Sequence, residues 1–132
     1  MPNVPVHEWT LLEASRKVRK KEISSRALTE ALLARIGKLN PKVNAFITVL
    51  PEAALAQAAA CDEEQANGSL RGPLHGVPLG LKDIFCTRGV RTTCGSRILR
   101  DFDPPYDATV TEKVLAAGAV LLGKQNMDEF AM

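Results

Sequence analysis

A strand–helix–strand pattern over residues 77–123 constrains the fold of this chain more than any other feature. Residues 77–85 (VPLGLKDIF) predict one strand. Residues 119–123 (AVLLG) form a continuous apolar run of the kind buried on both faces of a parallel sheet. Between them, Thr109 precedes a glutamate by three residues, which is capping-box spacing, and Gly118 is suited to follow the helix end. The pattern therefore predicts a βαβ unit.

The first half of the chain has helical periodicity. One amphipathic helix is predicted over residues 8–19, and a second ends at Asn40-Pro41. Residues 45–50 (AFITVL) predict a short strand, and Pro51 is well placed to begin a third helix that ends at Asn67-Gly68. That third helix is rich in alanine, so the face it buries is expected to be shallow.

The length of 132 residues allows one domain, helical over residues 1–68 and βαβ-containing over residues 69–132. Two or three strands do not complete a helix-covered α/β sheet, which usually has about five or six. The predicted class is therefore α/β, with N-terminal helices followed by the first strands of a mixed, helix-covered sheet that is incomplete in this chain. With an open sheet edge, we expect a marginal or aggregation-prone fold.

Charge and cysteine content exclude several classes of function. A net charge of +2 is too small to imply nucleic-acid or membrane binding by bulk charge. Three cysteines without a CxxC pair argue against a disulfide framework and against a zinc site, so no metal is expected. No signal peptide or membrane-spanning run is visible, and reduced thiols favour a cytoplasmic protein.

Lys82 is the candidate catalytic residue, as a base. Strand alternation places it on one face with Pro78 and Gly80, whose small size leaves room around the lysine. A lysine that ends an apolar strand can be desolvated, which favours the neutral amine and makes it a usable base. The alternative is that Lys82 reaches solvent or pairs with Asp83, and position alone favours that alternative.

Other polar features favour structural roles. The basic run of residues 16–21 could contact tRNA or another polyanion, but Val18 interrupts it, and cations suit the end of a helix. His75 lies in a predicted turn and is expected to be structural or exposed. Cys86 and Cys94 lack a histidine partner that would activate them, so they are expected to be packed thiols.

Residues 72–83 (GPLHGVPLGLKD) resemble the G-P-L-x-G-[VI]-P-[VIL]-x-[VIL]-K-D motif of the amidase-signature family. Three further segments follow in the family's order and spacing. They are TTCGSRIL at residues 92–99, PPYDATV at residues 104–110 and GKQNMDEFAM at residues 123–132. The resemblance covers essentially the whole chain.

The resemblance implies an amide-cleaving site made of a nucleophilic Ser, a second Ser in a cis peptide and a Lys, which falls on Lys82. Met132 would border the substrate pocket. The family's Gly/Ser-rich segment with both serines follows the M-D-E-F-A-M segment, so the 132-residue chain alone is expected to be inactive. Gln125 and Gly80 depart from the family, which usually has Thr and frequently Ala at these positions.

Within the family, the sequences of these segments are most similar to those of the tRNA-dependent amidotransferases. This resemblance implies that glutamine is hydrolysed to ammonia and that the ammonia is used to convert Glu-tRNA(Gln) to Gln-tRNA(Gln). The implied partners are a B subunit, which would hold ATP and Mg, and a small C subunit; no cofactor is expected on this segment. A general amidase acting on another amide and a non-catalytic product are the alternatives.

Overall fold

The computed structural model describes residues 4–132 and contains helices and strands in the predicted order. Residues 1–3, which entered the prediction that no signal peptide is present, lie outside the described part. The main elements are α1 (Leu11–Arg19), α2 (Ser25–Val43), β1 (Phe46–Val49), α3 (Pro51–Ala66), β2 (Pro78–Lys82), α4 (Thr109–Ala116) and β3 (Val120–Gln125). Short 3-10 turns cover Val6–Glu8, Arg97–Leu99 and Glu129–Ala131.

The three strands form one mixed sheet in the order β1-β3-β2. β2 and β3 are parallel and are joined through α4, which confirms the predicted βαβ unit. β1 runs antiparallel to β3 on its other side, so β3 is the central strand and its first five residues are buried. The α/β class with a mixed sheet is therefore confirmed.

Small side chains bring α3 close to the sheet. Ala54, Ala58 and Cys61 of α3 are buried against Val120 and Leu122 of β3. Alanine at these positions lets a helix approach a sheet closely, as the alanine-rich sequence predicted. A second cluster, centred on Val18, Leu28 and Val77, packs α1 against α2 and the start of β2.

Several element boundaries differ from the prediction. α1 begins at Leu11 rather than at residue 8, β2 ends at Lys82 rather than at residue 85, and β3 covers Val120–Gln125 rather than residues 119–123. α2 continues past Asn40-Pro41 to Val43, because the proline lies in the last turns and the helix ends where Asn44 takes a left-handed conformation (φ 50°). At α4, Ala108 rather than Thr109 is the N-cap, and no side chain caps the helix. The Cys86 carbonyl instead accepts hydrogen bonds from the Ala108 amide (2.8 Å) and the Thr111 hydroxyl (2.9 Å).

Within residues 4–132, no helix has both the length and the apolar character needed to cross a membrane.

Candidate functional site

Lys82 is the last residue of β2, and its side chain is exposed. Its neighbours on either side, Leu81 and Asp83, are buried (5% and 0% exposed), as strand alternation requires. Among the described residues Lys82 does not pair with Asp83, which contacts a different lysine. The desolvation expected for Lys82 is thus not supplied by residues 4–132.

The buried lysine is Lys124 of β3, which the sequence analysis did not single out. Its side chain is fully buried, and Nζ lies 3.3 Å from Oδ1 of Asp83. The ammonium donates to the Phe85 carbonyl (2.8 Å) and to the Thr92 hydroxyl (2.7 Å). Burial lowers the pKa of Lys124, and the charge of Asp83 opposes that shift. One feature of the sequence could have indicated the burial of Lys124: it directly follows residues 119–123, which were predicted to be buried on both faces.

Asp83 also holds the turn that follows at residues 92–94. Its Oδ2 accepts hydrogen bonds from the Thr93 amide (2.9 Å) and the Thr93 hydroxyl (2.5 Å). Its backbone carbonyl accepts from the Cys94 amide at 3.0 Å. The residue next to Lys82 is therefore fixed to a turn ten residues further along the chain.

The segment at residues 127–132 packs against the same turn. The Phe130 amide donates to the Cys94 carbonyl (2.9 Å), and the Ser96 hydroxyl donates to Oε1 of Glu129 (2.6 Å). Gly95 permits the contact, since a Cβ there would lie 2.7 Å from the Met127 carbonyl oxygen. Met132 ends this segment and is 92% exposed.

Left-handed backbone is concentrated at this contact. Cys94, Phe130 and Ala131 all have positive φ values, of 52°, 52° and 61°. Non-glycine residues in this region carry strain, which structures tend to keep at functional sites. The position proposed to border the substrate thus directly follows two strained residues.

Gly80 and Gln125, the two departures from the family pattern, lie against each other. A Cβ on Gly80 would lie 2.8 Å from Cδ and 2.9 Å from Nε2 of Gln125. Gln125 is also the β3 partner of Lys82 in the parallel register. Gln125 on β3 is larger than the usual threonine, and Gly80 on β2 is smaller than the frequent alanine. The two departures therefore compensate each other in volume, beside the candidate base.

His75 and Cys61 are structural, as predicted for His75. His75 is buried; its Nδ1 accepts from the Arg71 amide (3.2 Å), so Nε2 carries the proton and donates to the Cys61 carbonyl (2.9 Å). That tautomer is neutral, so the 3.9 Å approach of Glu64 is not an ion pair in this state. Burial raises the pKa of the Cys61 thiol, and it likewise raises that of Cys94.

The basic run of residues 16–21 is mostly exposed, and part of it is neutralised locally. Lys17 pairs with Glu22 (2.9 Å) and lies over the ring of Trp9, 5.0 Å from its centroid. Val18 points inward and is 1% exposed. In the described part of the chain, no three His, Cys, Asp or Glu side chains are grouped closely enough to hold a metal ion.

Both a family model and curated relatives match this chain. A family model described as Amidase matches residues 27–132. The A subunit of glutamyl-tRNA(Gln) amidotransferase from Methylococcus capsulatus is 58% identical over 127 residues, and that from Alkalilimnicola ehrlichii is 60% identical; each alignment covers 96% of this chain. Each covers 26% of the relative, so the chain spans about a quarter of the length of the curated relatives it matches.

The fold also matches solved structures. Peptide amidase from Stenotrophomonas maltophilia superimposes with a TM-score of 0.87 at 40% sequence identity. That match covers 95% of this chain and 26% of the peptide amidase.

Proposed function

Since this chain belongs to the amidase family, we propose that it serves as the N-terminal portion of the A subunit of a tRNA-dependent amidotransferase. The complete protein would hydrolyse glutamine and supply ammonia for converting Glu-tRNA(Gln) to Gln-tRNA(Gln). The observation that carries this proposal is the identity of 58–60% to proteins of that name over nearly the whole chain. The B subunit, with ATP and Mg, would use the ammonia, and the C subunit would join the other two.

Lys82 is the base in this proposal. A neutral Lys82 takes a proton, through the cis-peptide Ser, from the nucleophilic Ser, whose oxygen attacks the side-chain amide carbon of glutamine. When the C–N bond breaks, Lys82 returns the proton to the leaving ammonia. Water then cleaves the acyl-enzyme ester to release glutamate and regenerate the serine.

The exposed position of Lys82 is compatible with this role. The base must be neutral to accept a proton, and a surface lysine is charged at neutral pH. Because the chain spans a quarter of its relatives' length, the larger remaining part would supply the serines and cover Lys82. Covering the amine removes water from it, and the loss of water favours the neutral form that a base needs.

The test is steady-state kinetics of the full-length protein in its complex with the B and C subunits. Lys82→Ala and Lys82→Arg should each lower kcat for glutamine hydrolysis by about 10² to 10⁴-fold, because general-base catalysis is worth that much and arginine does not deprotonate. Lys38→Ala is the matched control, since Lys38 is an exposed lysine on α2. Retained turnover in Lys82→Ala would contradict the assigned base.

The 132-residue chain alone is predicted to be inactive. None of its serines at positions 15, 24, 25, 69 and 96 lies in a Gly/Ser-rich segment of the family type. Glutaminase turnover by the purified 132-residue chain that is abolished by Lys82→Ala would contradict this prediction. The nucleotide sequence after the Met132 codon separates the alternatives, because an open frame into a Gly/Ser-rich segment supports a catalytic protein.

A general amidase is the second candidate, and the likeness to peptide amidase favours it. The two functions differ in acceptor and partners. Ammonia transfer to Glu-tRNA(Gln) that requires the B and C subunits supports the amidotransferase. Hydrolysis of peptide amides without those partners supports the general amidase.

A further inference from the structure

We infer that the buried pair Asp83–Lys124 is a positioning device that fixes Lys82 and the segment at residues 127–132 relative to each other. This inference rests on the proposed function. Both side chains of the pair are fully buried. Neither reaches the exposed face from which Lys82 projects.

Stability alone is a weak reason to bury such a pair. Removing two charges from water is costly, and apolar residues of similar volume often serve the fold as well or better. The buried pair is therefore better explained by what its charges hold in place. Here three oxygen atoms, from Asp83, Phe85 and Thr92, surround Nζ of Lys124 within 3.3 Å.

Those contacts hold both ends of one loop. The loop leaves β2 after Lys82 and returns to the end of β2 at residues 92–94, where the Cys94 amide donates to the Asp83 carbonyl. Lys124 binds its start through the Phe85 carbonyl and its return through the Thr92 hydroxyl. Asp83 binds the return through the amide and the hydroxyl of Thr93. The two charges thus join the end of β2, the central strand β3 and the turn.

The same turn carries the contact to the second element of the site. Cys94 accepts from the Phe130 amide, and Ser96 donates to Glu129. A continuous path of hydrogen bonds therefore runs from the residue next to Lys82 to the segment that ends at Met132. Asp83 and Lys124 act through the backbone and side-chain groups of the loop, so they are positioning residues rather than catalytic ones.

The sharpest test uses Thr93 in the full-length protein, in complex with the B and C subunits. Thr93→Val keeps the shape but removes the hydroxyl that donates to Asp83, whereas Thr93→Ser keeps that hydroxyl. We expect Thr93→Val to lower kcat about tenfold or more and Thr93→Ser to restore most of it. Equal kcat in the wild type and Thr93→Val would overturn the inference.

A double variant separates positioning from stability. Asp83→Asn combined with Lys124→Met removes both charges together and leaves no unpaired buried ion. We expect it to unfold at nearly the wild-type temperature but to lose about 10²-fold in kcat. Full kcat in this folded variant would show that the pair only supports the fold.

Ser96→Ala tests the far end of the path. It breaks the contact to Glu129 and removes the acceptor of the Ile98 amide, while the hydrogen bond from the Phe130 amide to the Cys94 carbonyl remains. This variant should raise KM for glutamine while kcat stays within about twofold. If Lys82→Ala retains turnover, the proposed function fails. If Lys82→Ala is inactive while the Thr93 and double variants keep full kcat, the positioning role alone fails.

Discussion

Among the glycines, Gly123 leaves the least room for a side chain. A Cβ at this position of β3 would lie 2.3 Å from the Thr48 carbonyl oxygen and 3.0 Å from Cα of Val49. Both are backbone atoms of β1, so no side chain can move aside to make room.

We predict that Gly123→Ala destabilises the protein by about 2–3 kcal/mol or more, because β1 must separate from β3. Gly37→Ala is the matched control, since a Cβ there meets nothing within 4 Å and alanine favours the helix by about 1 kcal/mol. Urea unfolding of both variants measures the difference. A Gly123→Ala variant as stable as the wild type would contradict the close approach.

Gly80 and Gln125 should behave as one unit. Gly80→Ala forces the Gln125 side chain to move, whereas Gln125→Thr removes the obstacle. We predict that the double variant is more stable than the sum of the single changes by about 0.5 kcal/mol or more. Unfolding of the wild type, the two single variants and the double variant completes the double-mutant cycle. Additive changes in the free energy of unfolding would contradict the coupling.

At the scale of elements, α3 contributes part of the N-terminal cap of α2, beside the Ser24 hydroxyl that accepts from the Ala27 amide. Oδ1 and Oδ2 of Asp62 accept hydrogen bonds from the Ser25 amide (2.7 Å) and the Arg26 amide (3.0 Å). These amides are among those that a helix leaves without an internal partner. The negative charge also lies at the positive end of the helix dipole.

We therefore predict that Asp62→Ala lowers the free energy of unfolding by about 1–2 kcal/mol. Glu63→Ala is its control, because the neighbouring carboxylate is exposed and on the same helix. Chemical denaturation compares the two. Equal stability of both variants would show that the Asp62 contacts contribute nothing.

The end of α3 also carries a pH-dependent contact. Glu64 pairs with Arg71, and the hydrogen bond from Arg71 lowers the pKa of Glu64. A carboxylate with a lowered pKa in the folded state contributes stability above its unfolded pKa, and that contribution is lost on acidification.

We predict that wild type and Glu64→Gln differ in Tm at about pH 6 and converge as the pH falls to about 3. Thermal unfolding at several pH values follows the difference. A gap that is constant with pH would mean that the charge of Glu64 does not matter.

Local patterns predicted the elements well because each depends on nearby residues. The βαβ unit, the alanine face of α3 and the glycine after α4 were all evident from spacing, and Gly118 indeed has φ of 88°. The Asp83–Lys124 pair was missed because it depends on the register of β2 against β3, which is irregular between Leu79 and Gly80. Such an irregularity changes which side chains face each other, and no local pattern reports it.

The resemblance supplied what spacing could not. Position alone favoured a solvated Lys82, and in residues 4–132 it is indeed exposed. Only the family motif assigned it a role, and family membership is now confirmed. The predicted side-chain cap of α4 was wrong, because the carbonyl of Cys86, which is distant in sequence, accepts the hydrogen bonds at the start of the helix instead.

At the scale of the whole molecule, the sheet formed by the described residues has β2 as an edge strand. Unpaired backbone groups on an edge can pair with another chain. Ile84 follows this edge and is 36% exposed, whereas Ile98 is 79% exposed and lies in a separate turn.

We predict that the 132-residue chain self-associates as its concentration rises, and that Ile84→Lys suppresses association more than Ile98→Lys does. A charge beside the edge opposes strand pairing, whereas a charge elsewhere changes only net solubility. Sedimentation velocity at increasing concentration distinguishes these outcomes. Equal suppression by both variants would show that association does not use the β2 edge.

The place of β3 between β1 and β2 also governs when the sheet can form during synthesis. β1 leaves the ribosome some seventy residues before its partner strand, and β2 also emerges before β3. Neither early strand has its hydrogen-bonding partner until β3 is translated, so the backbone groups of both strands stay unpaired meanwhile. A translational pause before β3 would therefore prolong the interval in which β1 and β2 are exposed to chaperones.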